Sequence, residues 1–179
     1  MEYVNPIKSI CEIKLIKGIL REQSSRDFVL FVLGINTGLK ISTLLSLKID
    51  QLVDESGNIR SFVYVENQKI YTNDQVKSAL SFHLQKMKPP MDSYLFKSPK
   101  SDLPISRQQA YRVINEAARK VGIMDQIGTH TLRKTFGYHA YKKGVAISLI
   151  QARFHHASPS ETLRYIGMDG TDQRIDVNL

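Results

Sequence analysis

Four residues in the last third of the chain have types and spacings suited to holding a phosphate. His130 and Arg133, in "THTLR", stand at i and i+3, about 60° apart around a helix, so an imidazole and a guanidinium can address one object. His155-His156 lies just before Ser158-Pro-Ser-Glu161, a helix-starting sequence, where unsatisfied N–H groups and the helix dipole already favour an anion. Tyr165 follows in the second turn of that helix. Taken singly, the His–Arg pair would most often satisfy ordinary hydrogen bonds, the two histidines would be loop residues, and the tyrosine would pack half-buried. Together they are far less ordinary. His139, nine residues after His130, falls on the opposite side of the same helix, and no Cys or carboxylate cluster accompanies it, so a zinc site is not expected.

The rest of the composition is consistent with an anionic partner. The chain has 179 residues, 42% of them hydrophobic, enough for one domain with a sizeable core. Its net charge is +8 and its pI about 9.6, with Lys and Arg scattered from Lys8 to Arg174, so a polyanion should meet a folded surface rather than a basic arm. No stretch approaches the roughly 20 apolar residues of a membrane span. The single Cys11 and the absence of an export signal point to the cytoplasm.

The elements that must position these residues can be read from period and punctuation. Helical spacing runs from Ile7 to Leu20 and again from about Ser25 to Ile35, and after Asn36-Thr37-Gly38 a third helix should carry Leu39, Leu44, Leu45 and Leu47. Ile59 to Glu66 is β-branched and aromatic, with Lys69 to Thr72 as a returning strand. Asp74 can cap a helix that Pro89-Pro90 ends, and Tyr94-Leu-Phe96 reads as another short strand. Ser106-Arg-Gln-Gln109 opens a helix to about Lys120, Thr129 can cap one from His130 to Lys143, a short helix should span Ala146 to Phe154, and a final helix should start at Pro159.

"THTLRKTFGYHAYKKGV" followed by "FHHASPSETLRYIG" resembles the closing signature of the tyrosine recombinases, also called phage integrases: His-x-x-Arg, then a histidine nine residues before a nucleophilic tyrosine. His130, Arg133, His156 and Tyr165 match position by position. "NTGLKISTLLSLKIDQL" is similar to the family's earlier Thr-Gly motif, and "YVENQK" to the strand bearing its hairpin lysine, which falls on Lys69; the likeness spans about Pro6 to Met168.

The resemblance implies a mostly helical α+β domain with a small antiparallel β-sheet, acting on double-stranded DNA as a site-specific recombinase or integrase, without metal or other cofactor. Tyr165 would attack a phosphodiester to give a 3′-phosphotyrosine and a free 5′-hydroxyl. Arg133 and His156 would hold the phosphate, His130 would assist proton transfer at the tyrosine, and Lys69 would protonate the leaving oxygen. His155, His139 and Tyr138 match no family role and are read as structural. The resemblance also implies self-association or a partner recombinase on DNA, a nucleoid-associated setting, and a link to mobile elements. The competing reading is a catalytically weak integrase-like DNA-binding protein that modulates recombination, and a more distant one is type IB topoisomerase-like relaxation.

Three departures from the family pattern qualify this. Lys40 stands at the position of the family's first catalytic arginine and replaces a bidentate fork with a point donor. Thr43 stands where an acidic residue usually orients that arginine, so Lys40→Arg should raise cleavage, and more so with Thr43→Glu. The family's separate N-terminal core-binding domain has no counterpart, so residues 1–179 are expected to form a single catalytic-type domain, with the fourteen residues after Tyr165 able to pack on a neighbouring subunit.

Overall fold

Ser9 starts the first helix, α1 (Ile10–Gln23), because its hydroxyl accepts the Glu12 N–H; Ile13, Ile16 and Leu20 then line one buried face. The computed structural model describes residues 4–124 and 127–168. Helix α1 therefore begins three residues later than its apolar period suggests: Ile7 is buried, but in extended chain whose N–H is taken by Thr135 Oγ1 at 2.9 Å. Ser24 ends α1 and caps α2 (Ser25–Thr37), whose Val29 to Leu33 are all buried. Apolar all round, α2 forms the centre against which α1, α5 and α7 pack.

Gly38, at φ 67°, terminates α2 in the left-handed conformation, and a Cβ there would lie 2.4 Å from the Phe136 ring. Lys40 then takes the cap position of α3 (Ile41–Leu45). The expected third helix is split, with Leu39 and Leu47 both outside α3 and α4 (Ile49–Leu52) following as a single turn. The chain breaks there because Ser46 Oγ bonds back to Thr43 O, and the Leu47 carbonyl is used by the Leu95 N–H instead of by a helix.

Strands β1 (Phe62–Val65) and β2 (Gln68–Tyr71) pair antiparallel, Phe62 opposite Tyr71 and Val65 opposite Gln68. Glu66 and Asn67 form the two-residue connection with φ of 49° and 62°, a type I′ turn. Strand β1 is shorter than the expected Ile59 to Glu66, because Ile59 makes only an isolated bridge to Val53, while β2 keeps the expected length of four residues, shifted by one. Tyr94 likewise forms a single bridge, to Lys48, and not a strand. Asn73, not Asp74, caps α5 (Asp74–Met87), its side chain accepting the Val76 N–H at 3.0 Å.

The remaining helices are α6 (Arg107–Lys120), capped by Ser106; α7 (Thr129–Lys142), with Gly128 in the cap position that Thr129 was expected to fill; α8 (Ile147–Phe154); and α9 (Pro159–Tyr165), capped by Ser158. Thr131 Oγ1 accepts the Gly128 N–H at 3.0 Å, doing from the third helical position what a cap side chain would otherwise do. A large core joins α1 to α7. A second, smaller cluster of Ile150, Phe154 and Ile166 holds α8 and α9 on α7, packed with Phe136 and Tyr165.

Candidate active site

Helix α7 carries His130 and Arg133 one turn apart, and its Gly137 lets the last two helices approach. A Cβ at Gly137 would sit 2.6 Å from Ile166 Cγ2 and 2.7 Å from Phe154 Cε2. That close contact brings α9, and Tyr165 at its end, over α7. The Tyr165 hydroxyl lies 3.2 Å from His130 Nδ1, with the two rings edge to face.

The two groups are tuned in complementary directions. Burial lowers the His130 pKa, with help from Lys134 and Arg133, so its imidazole is neutral near pH 7 and can accept a proton. Burial raises the Tyr165 pKa while the Arg133 guanidinium beside it pulls the other way, so the phenol stays protonated until a base takes its proton. With the imidazole proton on Nε2, the Tyr165 O–H donates to Nδ1. Lys134 adds positive charge 5.0 Å from the Tyr165 ring centroid.

Arg133 is 7% exposed and fixed by backbone. Its Nη1 donates to Gly38 O at 2.5 Å and its Nη2 to Phe154 O at 3.1 Å, while the guanidinium lies 4.5 Å from the Phe154 ring centroid. Burial lowers its pKa, with Tyr165 and Glu66 acting against this and Arg153 with it. The left-handed Gly38 turn thus presents a carbonyl that aims the guanidinium, which ties the Thr-Gly motif to the His-x-x-Arg motif 95 residues apart.

His156 is oriented by α9, its Nδ1 3.0 Å from Thr162 Oγ1. The Thr162 hydroxyl donates its proton to Ser158 O at 3.2 Å, so its oxygen accepts from His156 Nδ1–H, and Nε2 can donate to a phosphate oxygen in the imidazolium form. Burial lowers its pKa, with Glu161 acting against this and Arg133 with it.

These side chains surround one cleft of about 410 Å³, lined by Lys40, Ile41, Ser42, Arg107, His130, Arg133, Phe154, His156 and Tyr165. Five of the six sequence-selected residues, Lys40, His130, Arg133, His156 and Tyr165, meet there. Lys69 does not. Its Nζ lies 4.2 Å from the Phe62 ring centroid, and it lines a separate groove with Phe136, Leu149 and Arg153. Arg153 binds the backbone beside it, donating to Thr37 O at 2.8 Å and Lys69 O at 3.4 Å.

Arg107 is a cleft residue that sequence reasoning missed. It stands at the first position of α6, and its side chain makes no hydrogen bond or ion pair with another described residue. Its only signal was a basic residue directly after a cap serine. His139, read as structural, donates its Nε2–H to Ile7 O at 2.9 Å on the far side of α7. Among the described residues no group of His, Cys, Asp and Glu gathers as a metal site, and no helix is long and apolar enough to cross a membrane.

A helical α+β domain with a tyrosine, two histidines and an anchored arginine around one basic cleft is the architecture of the tyrosine recombinases, which cleave and rejoin DNA. The chain belongs to the phage integrase family, whose model matches residues 8–170. It is 40% identical to a probable integrase/recombinase, YoeC, of Bacillus subtilis strain 168, over 94% of this chain and 92% of that protein. Among solved structures, it superposes on the XerA recombinase with a TM-score of 0.75 at 23% identity, covering 93% of this chain and 60% of that one. For a lambda integrase dimer bound to a core site the TM-score is 0.69 at 17% identity, covering 99% of this chain and 52% of that one. The chain thus spans between half and two thirds of those longer solved recombinases.

Proposed function

We propose that this chain cleaves and rejoins double-stranded DNA through Tyr165, as the catalytic-type domain of a site-specific recombinase. The observation that carries the reading is the Tyr165 hydroxyl against the neutral His130 Nδ1 at 3.2 Å, inside a cleft that also holds Arg133, His156 and Lys40. The Tyr165 oxygen attacks the scissile phosphorus as its proton passes to His130. The bond from phosphorus to the 5′-oxygen breaks, and Lys69 supplies that oxygen's proton. Arg133 and His156 hold the nonbridging oxygens and Lys40 adds a point charge, so the step relies on positioning and charge stabilisation. A 5′-hydroxyl from the same or a partner strand reverses the attack, and the phosphotyrosine preserves the energy of the broken bond.

Lys69 fills its role only when its ammonium leaves the Phe62 ring, and DNA lying across both cleft and hairpin supplies the opposing phosphate charge. The lambda integrase dimer on its core site supports DNA and a second recombinase subunit as the partners, and action on DNA implies a nucleoid-associated setting. Nicked duplexes from a randomised pool, in which the released fragment diffuses away, test the proposal. Wild-type chain should accumulate a covalent adduct and Tyr165→Phe none, with salt-sensitive DNA affinity equal in both. DNA binding without any wild-type adduct, or an adduct that survives Tyr165→Phe, would overturn it.

A further inference from the structure

Tyr165 is the last residue of α9, a helix of seven residues, so its ring has to be held from the side. His130, Phe154 and His156 meet it edge to face, with ring centroids 6.4, 5.4 and 4.9 Å away. A cation joins them. The Lys134 ammonium lies 5.0 Å from the Tyr165 ring centroid, within the range at which an aromatic ring attracts positive charge. Lys134 also stands one turn after His130 on α7, at i+4, so one helix face presents both the proton acceptor and this cation to the tyrosine.

The ammonium is aimed from behind, donating to the Val4 carbonyl at 2.9 Å. Val4 belongs to the segment before α1, which is pinned along α7: the Ile7 N–H donates to Thr135 Oγ1, and His139 Nε2–H donates to Ile7 O, each at 2.9 Å. Val4 and Ile7 are buried, and Gly128 leaves Val4 its place, since a Cβ there would lie 2.8 Å from Val4 Cγ1. We propose that Lys134 is a positioning residue for the nucleophile: tied to the Val4 carbonyl, its ammonium holds the Tyr165 ring so that the hydroxyl stays on His130 Nδ1. That role rests on the cleft being the DNA-cleaving site. As the proton leaves, negative charge on the phenol oxygen spreads into the ring, where the Lys134 charge favours it. Before that step the same charge, with Arg133, keeps His130 free of a proton. The other titratable or charged groups around that cleft are Tyr165 from α9, His156 just ahead of it, Lys40 from α3 and Arg107 from α6, and no lining residue is acidic.

Lys134→Met keeps the reach of the side chain and removes its charge and its donor. Single-turnover adduct formation on nicked duplexes should slow by about 10-fold, the size of a partly desolvated cation–π contact. The acid limb of the pH–rate profile should move to higher pH, because His130 then holds a proton more tightly. Lys134→Gln, which keeps a donor for Val4 O without the charge, should behave in the same way. Lys134→Arg keeps both and should return the rate to within about 3-fold of wild type, with the acid limb back in place. The salt slope of DNA binding should be that of wild type throughout, whereas a lysine seated on a phosphate would take about one unit of slope with it. An uncharged variant as fast as wild type or with an unmoved acid limb, an Arg variant as slow as the Met variant, or a slope reduced by about one overturns the inference and leaves the cleavage reading intact. Absence of adduct from the wild type instead overturns the cleavage reading and this inference with it.

Discussion

Arg133→Lys isolates what the guanidinium fork contributes, because it keeps the charge and loses the geometry. Arg133 satisfies Gly38 O and Phe154 O together and reaches Arg153 O at 3.5 Å, on a largely buried side chain. One ammonium cannot replace both close bonds from a single point, so at least one buried carbonyl loses its donor, which costs about 1–3 kcal/mol. For a chain of this size, each kcal/mol lowers Tm by roughly 2–4 °C. The larger effect should be on chemistry. An oriented donor lost at a developing anion costs about 100- to 1,000-fold in rate. Single-turnover adduct formation on nicked duplexes, thermal unfolding and salt-dependent DNA binding together check this. The expected result is a modest Tm loss, a rate loss of about two to three decades and an unchanged salt slope, since the net charge is the same. A variant within 3-fold of wild type (about 0.6 kcal/mol,), or one whose DNA affinity falls as far as its rate, would refute the claim that the carbonyl-anchored fork orients the phosphate.

Three other outcomes follow from named contacts. Lys40→Arg should raise the adduct rate by about 10-fold, because Lys40 has no side-chain cap bond to lose and a fork replaces a point donor; adding Thr43→Glu with Glu66 intact should now lower it, since two carboxylates would meet where Thr43 donates to Glu66, and the same rate measurement decides. Gly137→Ala should cost about 1–3 kcal/mol in urea unfolding and lower the adduct rate at least about 10-fold, because its Cβ pushes on Phe154 and Ile166, which seat Arg133 and α9. Buried His83, with Nδ1 2.8 Å from Ser25 Oγ, has its pKa lowered by burial and by Arg26, with Asp27 opposing; the folded state therefore keeps it neutral while the unfolded state takes up a proton, so its contribution is present above the ordinary imidazole pKa and lost as pH falls below it, and His83→Gln should flatten that slope in urea unfolding from pH 7.5 to 5.

Much of the site was legible because its residues are close in sequence. His130 and Arg133 share a helical face, and His156 and Tyr165 are joined by a short helix whose Ser158 cap and Pro159 start were plain. Five residues fell into one cleft accordingly. What stayed hidden depends on contacts that no local pattern records. Thr43 looked like a lost carboxylate, yet its hydroxyl recruits one from 23 residues away. Arg107 joins the cleft from the start of a different helix. Lys69 was placed on the right strand, but alternation and the Phe62 ring hold its ammonium outside the cleft. In the fold, Asn73 displaced Asp74 as a cap because adjacent residues of equal chemistry are separated only by which one has extended backbone, and Asn73 does, at ψ 174°.

The cleft's charges also bear on why a lysine can stand at position 40. Arg133 is rigid because backbone carbonyls consume part of its fork, whereas Lys40 sits at a cap position with its side chain unconstrained, and Arg107 is likewise uncommitted. A rigid cation fixes where a phosphate sits, and two adjustable ones can close on it afterwards. In the free protein these three like charges line one cleft that has no acidic lining residue. A phosphodiester entering the front relieves that repulsion directly, and it does so most when its nonbridging oxygens face Arg133. Orientation can then reside in one anchored guanidinium, with Lys40 supplying charge from a flexible ammonium that aims it less well than a fork would. On this account Lys40→Arg improves a working site by a modest factor, while Arg133→Lys disables it, and the ratio of the two effects measures how unequally the cleft divides the task.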